Sequence, residues 1–134
     1  MRALVADRSA TQRRVVLRAL RAVGIQESLE YAEPRAAVPA LEGNPEIVVI
    51  EWHPADDEAL GFIADLRARE GGDRTVVIVL SERDRREDIE RALAAGIQGY
   101  VLKPYEARVL IEQLAAAIQA MPAAAPDEDT AAAA

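Results

Sequence analysis

Five short apolar runs recur along the chain, each bounded by polar or turn-forming residues: Ala3 to Ala6, Ser28 to Ala32, Ile47 to Ile50, Thr75 to Leu80 and Gly99 to Leu102. Ile47 to Ile50 and Thr75 to Leu80 are continuous in Val, Ile and Leu, the pattern of strands buried on both faces in the middle of a parallel sheet. Ser28 to Ala32 alternates only weakly and predicts an edge strand.

The segments between these runs have helical spacing. Ser9 opens the first helix, with Gln12 three residues on completing a capping box. Apolar Val15, Val16, Ala19, Leu20 and Val23 then recur until Gly24 stops the helix. Pro34 suits the first turn of a short helix through Leu41, which Gly43-Asn44-Pro45 ends. Trp52 to Asp57 is predicted as a loop, and Asp56 or Asp57 is placed to cap a helix from Glu58 to Arg69. Gly71-Gly72-Asp73 is a turn. A highly charged helix is expected from about Asp84 to Ala95, with Ile89, Ala92 and Leu93 inward and Gly96 as its stop. Lys103-Pro104 leads into a last helix from Ala107 to about Ala120, packed through Val109, Leu110, Leu114 and Ile118.

Strand and helix alternate five times with short connections, which predicts an α/β fold: a doubly wound parallel sheet covered on both faces. Residues 1–120 form the expected domain. The stretch 121–134 is alanine, proline and acid, too poor in large apolar groups to offset ordering entropy, and is expected to be a disordered tail or linker.

Four polar residues stand where strands end: Asp7, Glu51, Ser81 and Lys103. In a parallel sheet these ends share one edge, where such folds build their sites. Two acids, a hydroxyl and a cation suit control of a phosphoryl group or a metal.

Composition narrows the choice. A formal net charge of -7 in 134 residues argues against a nucleic-acid surface, and the arginines are interleaved with acids as on solvated helix faces. No cysteine is present, so there is no disulfide, thiolate metal site or cysteine nucleophile. With a charge at Asp7 the start does not resemble a signal peptide, and no run is long enough to span a membrane; a cytoplasmic location is expected. The lone His53 is expected to be an exposed loop residue, and Trp52 to pack partly on the surface.

Asp7, Glu51, Ser81, Lys103-Pro104 with Tyr105, and the segment Ala92 to Tyr100 together resemble the receiver domain of bacterial response regulators, across nearly all of positions 1–120. The resemblance implies a flavodoxin-like fold with strand order 2-1-3-4-5. It also implies that Glu51 stands at the phosphoacceptor position, that Ala6 and Asp7 stand at a magnesium-holding acid pair, and that Ser81 and Lys103 contact the phosphoryl oxygens. Tyr100 stands at an aromatic that shifts with the hydroxyl.

Three positions depart from that pattern. Glu51 is one methylene longer than aspartate, placing its carboxylate roughly 1 Å or more from the in-line position, which can cost on the order of 100-fold in rate. Ala6 removes one anionic ligand from a cation that dehydrates reluctantly. Glu82 puts a carboxylate where an incoming phosphoryl group would be repelled. Asp7, Glu51 and the backbone carbonyl of His53 would leave an incomplete, weak magnesium cage. No other cofactor is expected.

The expected function is therefore that of a pseudo-receiver in a two-component system. It would be a signal-transduction module and not an enzyme, independent of phosphorylation, with Glu51 and Lys103 joined in a partly buried ion bridge. Its partners would be proteins, such as a histidine kinase or an output protein, or a second copy. They would meet the fourth helix, last strand and last helix through Arg91, Tyr100, Tyr105 and Gln113; neither nucleic acid nor membrane is expected. A conventional phosphoacceptor in a phosphorelay is the alternative. A flavin-binding electron carrier on the same strand order is the remote one, because Asp7-Arg8-Ser9-Ala10-Thr11 lacks the glycine that would wrap a flavin phosphate. Ser81 has two compatible roles, site member and cap of the next helix. Tyr100 is expected to be core packing, and Asp56 a helix cap more than a substitute metal ligand.

Overall fold

The computed structural model describes residues 1–121. Its strands β1 (Arg2–Ala6), β2 (Glu27–Tyr31), β3 (Ile47–Trp52), β4 (Val76–Ser81) and β5 (Gly99–Leu102) form one parallel sheet in the order β2-β1-β3-β4-β5. This is the flavodoxin-like order expected. Helices α1 (Ala10–Ala22) and α5 (Ala107–Gln119) cover one face, closing over Val5, Val49 and Ile78. Helices α2 (Pro34–Ala37), α3 (Glu58–Ala68) and α4 (Arg86–Ala94) cover the other, over Leu4, Val48, Ile50 and Val77. The alternation of side chains along each strand assigns these residues to the two faces.

The register brings the strand ends level. Ala6 pairs with Ile50, Glu51 with Leu80, and Ser81 with Leu102, so Asp7, Glu51, Ser81 and Lys103 leave the sheet along one edge.

Four local expectations are corrected. The helix expected from Pro34 to Leu41 makes one α turn and then a 3-10 segment, Val38–Gly43. Pro39 lacks the N–H that an α-helix would use there. Helix α4 begins at Arg86, not Asp84. Leu93 is 56% exposed, not inward; it lies about 100° round the helix from buried Ala92. Trp52 is fully buried, because β3 runs two residues past Ile50 and alternation turns the indole to the face of Val48 and Ile50. Met121 still packs against the α1/α5 side of the core. The rest of the expected tail, 122–134, lies outside the described residues.

Candidate functional site at the carboxyl edge of the sheet

Lys103 enters the site directly from β5, and its backbone N–H extends the ladder by donating to the Ser81 carbonyl at 2.8 Å. Its ammonium donates to Glu51 Oε2 at 2.5 Å and to Asp7 Oδ2 at 2.8 Å. The three side chains are 10%, 14% and 0% exposed respectively, so the pairing is largely shielded from water. Burial pulls the Lys103 pKa down, but the hydrogen bonds and charges of Asp7 and Glu51 outweigh it and hold it above the ordinary lysine value. The ion bridge expected between Glu51 and Lys103 is present, and Asp7 shares it.

Asp7 also organises the chain that follows it. Its Oδ1 accepts the Ser9 N–H at 2.9 Å, while Ser9 Oγ accepts the Gln12 N–H at 3.2 Å and caps α1. The Ser9 half of the capping box is thus in place, and the Ser9 N–H goes to Asp7 instead of to the Gln12 side chain. Glu51 Oε1 accepts the Arg8 N–H at 3.2 Å. The Arg8 guanidinium pairs with Asp56 Oδ2 at 2.8 Å, and Asp56 Oδ1 caps α3 by accepting the Glu58 N–H at 3.0 Å. That Glu58 bond outweighs the cost of desolvation and, with help from Arg8, holds the Asp56 carboxyl below the usual range. The N-cap of α3 is Asp57, whose side chain makes no capping bond, so it is Asp56, one residue earlier, that satisfies the first free N–H of the helix.

Between these groups lies a cleft of about 10 Å³, lined by Ala6, Asp7, Arg8, Ala32, Pro34, Glu51, His53 and Asp56. This is room for roughly one water. The residues do not fit a magnesium ion, which needs near-octahedral oxygen donors. Ala6 offers no carboxylate, and the Asp7 and Glu51 oxygens already accept from Ser9, Arg8 and Lys103. The His53 carbonyl faces the Asp56 N–H and the Arg83 guanidinium, both at 3.4 Å. Lys103 already lies between Asp7 and Glu51, and the Arg8 guanidinium is taken by Asp56.

Ser81 and Tyr100 are close by but bonded elsewhere. The buried Ser81 hydroxyl donates to the Trp52 carbonyl at 2.8 Å and accepts the Arg83 N–H at 3.0 Å. It therefore holds a turn and does not cap α4, whose N-cap is Arg85. The Tyr100 hydroxyl donates to the Arg83 carbonyl at 2.7 Å, and its ring packs against the α3/α4 side of the core. Burial raises its pKa. His53 is half-buried, not exposed, with Nδ1 accepting the Ala55 N–H at 3.1 Å.

Sequence reasoning missed Arg83. Its guanidinium lies 4.2 Å over the Trp52 ring and donates to the carbonyls of His53, Pro54 and Asp56 at 3.4, 3.1 and 3.1 Å. It also approaches Asp57 and Asp88 at 3.6 and 3.4 Å. Arg91 pairs with Asp57 Oδ2 at 2.6 Å and lies 5.4 Å from the same indole. The Arg91 hydrogen bond holds the Asp57 carboxyl below its ordinary value. The Trp52 Nε1–H completes the cluster by donating to the Asp56 carbonyl at 3.1 Å.

The model of the response regulator receiver domain family matches residues 3–115. Chemotaxis protein CheY-3 of Vibrio cholerae serotype O1 is 31% identical over 115 residues, spanning 85% of this chain and 88% of that protein. Chemotaxis protein CheY of Pseudomonas aeruginosa is 30% identical over the same share of this chain and 93% of its own length. Among solved structures, CheY4 of Vibrio cholerae superposes with a TM-score of 0.75 at 21% identity, covering 87% of this chain and 97% of that one. The BeF3-activated DrrB receiver domain gives 0.76 at 18% identity, covering 88% and 97%. At those identities the structural likeness speaks for the fold.

Proposed function

This chain belongs to the response regulator receiver family, and on that premise we propose that it is a pseudo-receiver that signals through protein contacts without being phosphorylated. The observation that carries the reading is the Lys103 ammonium shared between Glu51 and Asp7. In the family pattern, an aspartate at this position already carries one negative charge beside the lysine, and a phosphoryl group adds charge and carries it outward. Here Glu51 carries its single charge one methylene further out and onto Lys103, against the about 1.5 to 2 units and three acceptor oxygens of a phosphoryl group. A ligand biases a two-state fold only by its differential interaction with the two states, so such a partial substitute biases the equilibrium without locking it. The magnesium-poor donor set and the Ser81 hydroxyl bonded to Trp52 support the same reading.

The proposed contact surface is α4, β5 and α5, where Leu93 and Leu102 are 56% and 44% exposed, and where exposed Arg91 is already paired with Asp57. Tyr100, Tyr105 and Gln113 are half-buried there, with the Tyr100 hydroxyl bonded to the Arg83 carbonyl and the Tyr105 hydroxyl buried. The partner would be a histidine kinase or output protein, and the proposed place of action is the cytoplasm. Among the described residues, no helix is long and apolar enough to cross a membrane.

The test is intact-protein mass spectrometry after incubation with acetyl phosphate and magnesium. No gain of a phosphoryl group is expected. A phosphoryl adduct mapped to Glu51 would overturn the proposal.

A further inference from the structure

We infer that Arg83 is a positioning residue that latches the loop after β3 to the start of α4, so that the local order of these two segments depends on this guanidinium, whichever state the charge at Glu51 favours. The inference stands whether or not Glu51 is ever phosphorylated.

Three connections converge on Arg83. Its guanidinium donates to the carbonyls of His53, Pro54 and Asp56, which gathers nearly the whole 53–57 loop round one planar group. The same group stacks on Trp52 and faces Asp88 in the first turn of α4. Its backbone carbonyl receives the Tyr100 hydroxyl, and its N–H is held by Ser81 Oγ. Arg91 repeats the link one helical turn on, through Asp57 and the same indole. For Tyr100 to leave its inward position, or α4 to shift, several charge-assisted bonds to the 53–57 loop must break together. Glu51 and Lys103 make none of these bonds.

The three loop carbonyls all lie within reach of Nη2 while Asp88 faces Nη1, so the latch needs two separated donor nitrogens, which a lysine ammonium does not supply. Trp52 is the only tryptophan in the chain, so its emission reports the latch directly.

The experiment is hydrogen exchange by mass spectrometry, with tryptophan emission, on the full chain and its Arg83→Ala, Arg83→Lys and Glu51→Gln variants. Arg83→Ala is expected to speed exchange by about tenfold or more in segment 53–57 and in α4 together, leaving β1 and β3 unchanged. Its Trp52 emission should shift to the red as water reaches the ring. Arg83→Lys should loosen the same two segments by less, and Glu51→Gln neither. Equal protection in Arg83→Ala and wild type would overturn the inference. So would faster exchange throughout, β1 and β3 included, or equal loosening in Glu51→Gln. If Arg83→Ala does not fold, Arg83→Lys decides: local loosening supports the latch, and unchanged protection overturns it.

Discussion

The Lys103 ammonium lies 2.5 Å from Glu51 Oε2, and no other side-chain cation among the described residues is within salt-bridge distance of that carboxylate. One cation therefore balances Glu51 and, at 2.8 Å, Asp7 as well. Lys103→Met would leave two shielded carboxylates facing each other. The expected cost is about 3–5 kcal/mol in urea unfolding, against about 1–2 kcal/mol for Glu51→Gln. In the double variant the losses should fall short of additive, because Glu51→Gln removes the charge that Lys103→Met strands. Strict additivity would show that the pair is not coupled.

Ala6→Asp combined with Glu51→Asp restores the second acid and draws the acceptor carboxylate back by one methylene. This double variant is expected to gain a phosphoryl group from acetyl phosphate and magnesium, and to bind magnesium measurably more tightly than wild type. The same mass spectrum as wild type would mean that side-chain length and charge at these positions do not limit the chemistry.

The Tyr105 phenol is pushed up to about 12, first by burial and then by the Asp7 and Glu51 charges, and its buried hydroxyl has no hydrogen-bond partner among the described residues. Its folded pKa exceeds the unfolded value of about 10, so its contribution is whole below pH ~10 and is lost as pH rises through about 12. In an ultraviolet phenolate titration, the latest of the three tyrosines to ionise should vanish in Tyr105→Phe. That variant should keep its urea midpoint at neutral pH and lose less than wild type at about pH 11.

Asp56 caps α3 through the Glu58 N–H and pairs with Arg8. Asp56→Ala is expected to cost about 1 kcal/mol at neutral pH, and Asp56→Asn less, since its amide oxygen still caps. The folded pKa is depressed, so this stability is present above the usual carboxylate range and fades as pH falls through the lowered value. Urea midpoints of wild type and Asp56→Ala should therefore converge in acid. A gap that persists there would assign the loss to packing.

The sheet and its site edge were legible because central parallel strands are apolar throughout: Ile47 to Ile50 and Thr75 to Leu80 announce themselves, and their ends place Glu51 and Ser81. The polar network beyond that edge was not. Whether Trp52 is buried depends on β3 continuing two residues, which no periodicity in Glu51-Trp52-His53-Pro54 marks. Arg83 sits in the run Ser81-Glu82-Arg83-Asp84-Arg85-Arg86, which has the look of a solvated face. Its partners lie nearly thirty residues away in sequence, so only the closed sheet reveals them. The shortened α2 was legible in principle, since Pro39 stands inside the predicted helix.

The Ser9 amide bonded to Asp7 has a consequence for how tolerant the two neighbouring positions are. One Asp7 oxygen secures the first turn of α1, the other anchors β5 through Lys103, and the Asp7 carbonyl accepts from Arg13 at 2.7 Å. Replacing it would unfasten a helix start and a strand end at once, before any question of signalling arises. Ala6, beside it, contributes no polar side-chain atom and already packs within the core. A mutational scan scored on protein abundance should therefore rank position 7 with the hydrophobic interior and leave position 6 open to other small residues.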